Sequence, residues 1–281
     1  MTAFTFEATS FLTNIACYFY EIQAFMRKYL IILGLGLLLI WSCSSTKEVS
    51  EMTSDERLQY AMDMYNDEDY VEAATEFEAL LLQYPGSNIV DDAQYYLAMC
   101  KYNREEFILA AYEYSKLIKN MPASEFVANA QYMLAESYYE LSPDYRLDQK
   151  YTVKAIEEYQ AFIDFFPLNE HVAESEQKIS ELNDKLARKE YQVAFIYERM
   201  QYYTASLKYY ESVVETYHDT KYAPMALYSK IMLLMDRERE DEALTEMKRF
   251  IRLYPDDENF QEVNDMKNGL EAKLKGGYSS N

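Results

Sequence analysis

Apolar residues recur along most of the chain at intervals of three and four, as in Ala74, Phe77, Leu80, Leu81 and Tyr84. That spacing puts them on one face of an α-helix. The pattern comes in units. First helices are marked by Leu58-Gln59-Tyr60-Ala61, Tyr96-Leu97-Ala98, Met133-Leu134-Ala135 and Gln192-Val193-Ala194, with Ile231 in the alanine place of a fifth copy. These five positions lie 37, 37, 59 and 37 residues apart. Second helices carry a small residue (Ala73, Ala110, Ala155, Ser206, Ala243) and, four residues on, a large one (Phe77, Tyr114, Tyr159, Tyr210, Met247). Twelve residues after each small residue stands Pro85, Pro122, Pro167, His218 or Pro255. Proline cannot continue a helical hydrogen-bond ladder, so each second helix is predicted to stop there.

This small–aromatic–proline pattern resembles the tetratricopeptide repeat (TPR), and the Tyr84-Pro85-Gly86-Ser87 turn looks like its bacterial envelope variant. The resemblance implies an all-α fold, a right-handed superhelical solenoid of five TPR-like helix pairs over residues 56–275. The pairs fall at 56–91, 92–128, 129–174, 175–223 and 224–275. No single pair can bury its own apolar face, so neighbours must stack, and the stack offers a groove as its default binding surface.

The interval of 59 residues exceeds the period in two places. Ala135 to Ala155 spans 20 residues against 12 for Ala61 to Ala73, so eight residues enter the turn of the third pair, within Pro143–Thr152. The remaining 14 lengthen the link from Ile179 to Ala194. They predict a long first helix in the fourth pair, with charges along one side.

Composition narrows the function. Lys and Arg number 27 against 48 Asp and Glu, a formal charge of −21. Phosphate neutralisation needs a basic surface, so nucleic acid is excluded as a partner. Only 6 glycines are present, too few for nucleotide-binding loops, and the turns are expected to rely on proline. The 29 tyrosines recur largely at packing columns, leaving a minority for a peptide-binding face. No G-x-x-x-x-G-K, G-x-G-x-x-G or H-E-x-x-H motif occurs. With only His171 and His218, no histidine-based metal site or catalytic triad can be built, so the chain is expected to be non-catalytic and without cofactors.

From Met26 the chain reads Met-Arg-Lys, an apolar run from Tyr29 to Trp41, then Ser42-Cys43-Ser44-Ser45. The run is too short to span a bilayer and has the parts of a secretory signal. Its end resembles a bacterial lipobox, which implies that Cys43 is the acylated N-terminus of the mature chain. Residues 1–25 are read as an over-long upstream start, 26–42 as the signal and 43–55 as a flexible tether. Glu7, Glu21, Arg27 and Lys28 balance one another, so the mature charge stays at −21. Cys100, left without a disulfide partner, is expected in the core.

Lipobox, five repeats and the two insertions together resemble the BamD (ComL/YfiO) family, TPR lipoproteins of the outer-membrane β-barrel assembly (BAM) machinery. The matching residues include Arg146, Asp148, Gln149, Thr152 and Ala155 in the insertion, and Leu182, Asp184, Lys185, Ala187, Glu190, Ala194, Tyr197 and Arg199 in the long helix. Met200 departs from the glycine that commonly follows the arginine, so a different local turn is expected there. The resemblance implies a lipid-anchored protein on the periplasmic face of the outer membrane. Its partners would be unfolded β-barrel precursors, the POTRA domains of a BamA-like insertase and other BAM lipoproteins. Basic residues are scarce, and Arg146, Arg199 and Lys208 are the expected partner contacts. The alternative is a CpoB-like periplasmic TPR scaffold, which would normally show a coiled-coil heptad segment and no lipobox.

Overall fold

The computed structural model describes residues 51–277, with side chains through Leu274. Cys43, the signal segment and most of the tether lie outside the described residues. Eleven helices and no strands occur among the described residues. Five antiparallel pairs are α1 (Ser54–Asn66) with α2 (Tyr70–Gln83), α3 (Val90–Asn103) with α4 (Phe107–Asn120), α5 (Val127–Glu140) with α6 (Lys150–Phe165), α7 (Val172–Arg199) with α8 (Tyr203–Thr216), and α9 (Tyr222–Asp236) with α10 (Glu240–Leu253). Helix α11 (Phe260–Gly277) packs on α10 and covers the last pair. Each helix packs mainly on its neighbours in sequence, which is the contact pattern of a solenoid.

The first helix starts on a capping box: Thr53 Oγ1 accepts from Glu56 N–H, and the Glu56 carboxylate accepts from Thr53 N–H at 2.8 Å. Beyond that start, the repeat columns form the core. Ala61, Ala98, Ala135, Ala194 and Ile231 are fully buried, as are Ala73, Ala110, Ala155, Ser206 and Ala243. Side chains this small let paired backbones approach closely. The large residues four positions on fill the space beside them, and Phe77, Tyr114, Tyr159, Tyr210 and Met247 are all buried. A further column, seven residues after the small one, is equally buried: Leu80, Leu117, Phe162, Val213 and Phe250.

Four of the five turns within a pair contain no proline, the exception being the long connection of the third pair with Pro143. Glu68, Glu105, Gln201 and Glu238 adopt positive φ (57° to 65°), and no described glycine does. The left-handed residue lets the chain reverse in a few residues, and the backbone bonds repeat. The N–H groups of Asp69, Glu106, Tyr202 and Arg239 reach back to the carbonyls of Met64, Lys101, Tyr197 and Leu234 at 2.9 Å. The turn after Arg199 therefore matches three others in this chain.

Turns between pairs do follow proline. Two residues past it stand Ser87, Ser124, Asn169, Thr220 and Asp257, each donating its backbone N–H to the carbonyl three residues earlier. Side chains of Ser87, Ser124, Asn169 and Asp257 also accept the N–H two residues on, at 2.9–3.3 Å. Thr220 instead donates to the Tyr217 carbonyl (2.7 Å), in the one turn where His218 replaces proline.

The regular array is interrupted at α7, 28 residues long against 13–16 for the other helices of the five pairs. Its first half packs Leu182 into the core of the third pair, while Ala187 and Ala194 belong to the core of the last two pairs. Beside this step runs the long connection from α5 to α6, residues 141–149. Thr152 already lies inside α6 and is buried.

Candidate functional site

The two departures from the repeat meet each other. Gln149 holds the connection in shape by donating to the carbonyls of Asp144 (2.9 Å) and Leu147 (3.1 Å), while its Oε1 accepts from Thr152 at 2.7 Å. Lys185 of α7 donates to Ser142 Oγ at 2.7 Å, and Lys189 to the Leu147 carbonyl at 2.5 Å. The Arg188 guanidinium lies 4.1 Å from the centre of the Tyr145 ring. Ser142, Tyr145, Lys185 and Arg188 line a cleft of about 450 Å³ between the connection, α7 and the start of α9, where Lys221 and Tyr222 close it. Burial pushes the Lys185 ammonium below its ordinary range. Arg146 is exposed at the rim, 3.6 Å from Asp144, and donates from Nε to the Tyr145 hydroxyl at 3.3 Å. That bond, with the Arg146 and Arg188 charges, draws the Tyr145 phenol below its usual value.

Arg199 and Lys208 lie elsewhere, at the elbow between α7 and α8. Arg199 is the last residue of α7, exposed, its guanidinium 6.0 Å from the Phe195 ring. Lys208 borders a recess of about 670 Å³ whose other walls include Tyr197, Tyr202 and Tyr203. Both cations lack an ion-pair partner among the described residues. Around them the surface is unusually apolar: Phe195, Ile196, Met200 and Tyr202 are 41–58% exposed. Sequence reasoning named the two cations and missed this collar. Phe195 and Ile196 follow a core alanine but fall outside the small and large columns, which was the available signal. Arg188 and Arg199 share a face of α7 eleven residues apart, about 16 Å at helical rise. The structure thus brings Arg199 and Lys208 to one elbow and leaves Arg146 at the cleft.

A third feature runs along the first helices. Three residues before the buried alanine column stand Leu58, Tyr95, Tyr132, Tyr191 and Tyr228, and four after it Tyr65, Tyr102, Tyr139, Glu198 and Met235, all half-buried except the buried Tyr132. In the first two pairs the rings interlock: Tyr65 with Tyr96 at 5.3 Å and Tyr95 stacked on Phe126 at 4.7 Å. Burial pushes the Tyr95 and Tyr102 phenols up to about 12. Hydroxyls of the buried aromatic column find partners on the preceding helix: Tyr114 donates to Met99 Sδ, Tyr159 to Glu136 and Tyr210 to Glu198.

Glu136, 7% exposed, also takes Lys178 of α7 at 2.5 Å. That ammonium lies 4.9 Å from the Tyr139 ring centre and 3.3 Å from Glu174. Burial works against the Lys178 charge, but the two carboxylates outweigh it and hold the amine above its ordinary range. His171, at the start of α7, stacks on Tyr132 at 4.2 Å; His218 is exposed. Cys100 is fully buried, which pushes its thiol up to about 12. No group of three or more His, Cys, Asp or Glu among the described residues is placed to hold a metal ion. No described helix is long and apolar enough to cross a membrane.

Comparison with known proteins places these features in context. A family described as YfiO, outer membrane lipoprotein, matches residues 50–240, which span both insertions and end at the start of α10. The outer membrane protein assembly factor BamD of Rickettsia prowazekii is 28% identical over 214 residues, covering 75% of this chain and 85% of that protein. Among solved structures, a thermophilic TPR protein of Thermus thermophilus is 17% identical, with 78% of this chain and 100% of that one covered at a TM-score of 0.33. The TPR2AB domain of yeast Sti1 is 13% identical, with 80% and 86% covered at a TM-score of 0.40.

Proposed function

The chain belongs to the YfiO family of outer membrane lipoproteins, and on that premise we propose that it is a non-catalytic subunit of the outer-membrane β-barrel assembly complex. Cys43 carries the lipid and holds the solenoid at the periplasmic face of the outer membrane. The aromatic face of the first pairs accepts extended segments of unfolded β-barrel precursors, and the later pairs engage the POTRA domains of a BamA-like insertase. The similarity to the R. prowazekii assembly factor supports this reading over the division-scaffold alternative.

The observation that carries the insertase contact is the α7–α8 elbow. It joins two unpaired cations, Arg199 and Lys208, to an apolar collar and a tyrosine-walled recess. Apolar centres ringed by polar groups mark protein interfaces, with aromatics and arginine enriched there. Arg146, at the rim of the cleft on the α5–α6 connection, is a further contact. Charge reversal at both elbow positions, Arg199→Glu and Lys208→Glu, is expected to reduce co-purification of the insertase while leaving the helical circular dichroism unchanged. Undiminished recovery would sink the assignment. For the anchor, Cys43→Ala should move the protein out of the membrane fraction; retention there without acylation refutes it.

A further inference from the structure

The cleft at the α7 step holds a charge that its own surroundings do not answer. Its acidic side chains are each engaged. Asp184 pairs with Lys221 at 3.3 Å. Asp144 accepts the Arg146 backbone N–H at 3.0 Å and lies 3.6 Å from that residue's guanidinium. Glu181 accepts from the Tyr139 hydroxyl at 3.3 Å and from Gln177 at 2.8 Å.

The α7 cations beside the cleft are met directly by neutral groups, although the Asp144 charge also reaches Lys185. Lys185 meets a hydroxyl, Arg188 an aromatic face and Lys189 a backbone carbonyl. None of the three forms an ion pair among the described residues. On a chain of formal charge −21, three cations within five residues and without a carboxylate are conspicuous. Lys185 is also partly desolvated, so a carboxylate reaching it would be less screened than one at an open surface. Arg188 lies on Tyr145 with its fork of donors still available to a planar carboxylate.

We propose that this cleft docks an acidic peptide segment of a partner protein, with one Asp or Glu carboxylate received by Arg188 and Lys185. Charge complementarity selects that occupant. The volume of about 450 Å³ lies within the range of pockets that take compact ligands, and the Tyr145 and Tyr222 rings wall it on two sides. The dock is separate from the Arg199–Lys208 elbow, about three helical turns further along α7. Partner engagement at one place does not require the other.

The test uses the full chain in non-ionic detergent and fluorescein-labelled hexaglutamate, read by fluorescence anisotropy. Physiological ionic strength screens the chain's remote negative charge beyond about 8 Å. Binding by the wild type is expected, weakened about tenfold or more by Arg188→Gln with Lys185→Gln and unchanged by Arg199→Gln with Lys208→Gln. Arg188→Lys, which keeps charge and loses the fork, should fall between. Lys185 also braces the connection, so Arg188→Glu alone, whose only contact is a ring, serves if the double variant unfolds. No binding by the wild type overturns the proposal, as does equal binding by the Arg188 variants. So does Arg188-dependent binding of phosphatidylglycerol vesicles in place of the peptide.

Discussion

Four turns within helix pairs hold an ordinary L-residue in the left-handed region, at Glu68, Glu105, Gln201 and Glu238. Replacing each with glycine should stabilise the protein. A side chain with a Cβ pays about 1–2 kcal/mol to sit there, and glycine's extra freedom in the unfolded chain returns about 0.5–1 kcal/mol of that. Nothing else is lost, since all four side chains are exposed and make no side-chain hydrogen bond. The net gain is about 0.5–1 kcal/mol per turn, and about 2–4 kcal/mol for the quadruple variant if the separate turns act independently. Urea unfolding followed by circular dichroism reads this as a raised midpoint. Alanine at the same positions is the control, because it removes the same side-chain atoms and keeps the Cβ. Should glycine stabilise no more than alanine at all four turns, the strain argument is wrong.

Other outcomes follow from the packing and the charge pairs. Ala110→Leu forces a side chain into a position with no accessible surface, and a loss of about 1–3 kcal/mol is expected; a neutral effect in the same unfolding assay would mean the pairs are not closely packed there. Lys178→Met strands the Glu136 carboxylate and should cost about 3–5 kcal/mol. Adding Glu136→Met, which restores the residue type of Met62, Met99 and Met232 in that column, should recover most of it. Burial raises the Glu211 carboxyl, yet its bonds from Lys230 and Arg249 outweigh burial and leave it below its ordinary 4.5. A carboxylate lowered in the folded state contributes fully above its unfolded value and loses that contribution as pH falls through the folded one. Glu211→Gln should therefore flatten the acid limb of stability below about pH 4.5, and an unchanged limb would argue against the pairing. In a variant keeping Cys100 as its single cysteine, maleimide labelling should be slow in the native state and fast in urea, given complete burial and a thiol near 12; rapid native labelling would contradict the packing of α3.

Much of the fold was legible because the repeat restates itself. One buried alanine among aromatics proves little, but five copies at fixed offsets leave few alternatives, and the columns at Ala73 and Phe77 recur as core through Ala243 and Met247. The long α7 and the insertion were legible as excess length. Three things were not. The left-handed turns at Glu68, Glu105, Gln201 and Glu238 have no residue signature, since glutamate and glutamine are not the usual occupants. The Tyr159–Glu136–Lys178 cluster joins three helices, and no local pattern specifies which carboxylate meets which hydroxyl. The exposed collar at Phe195 and Ile196 reads in sequence like any apolar helix face, because exposure depends on what the fold leaves uncovered.

The insertion and the long helix answer a single geometric problem. Fourteen extra residues in a first helix carry its C-terminal half about 21 Å beyond the point where a regular repeat would end. The second helix of the third pair cannot follow that far, so a flank of α7 is left without its ordinary neighbour. Residues 141–149 cover the flank, and they meet Lys185, Arg188 and Lys189 directly with hydroxyl, ring and backbone carbonyl. That choice leaves Lys185, Arg188 and Lys189 without an ion pair among the described residues of an acidic solenoid. About three turns of α7 also separate Arg188 at the cleft from the elbow at Arg199. A rigid helix with one cationic place near its middle and another at its C-terminal end can hold two acidic segments at a fixed separation. A regular 37-residue period, with one short helix per contact, could not present that geometry from a single element.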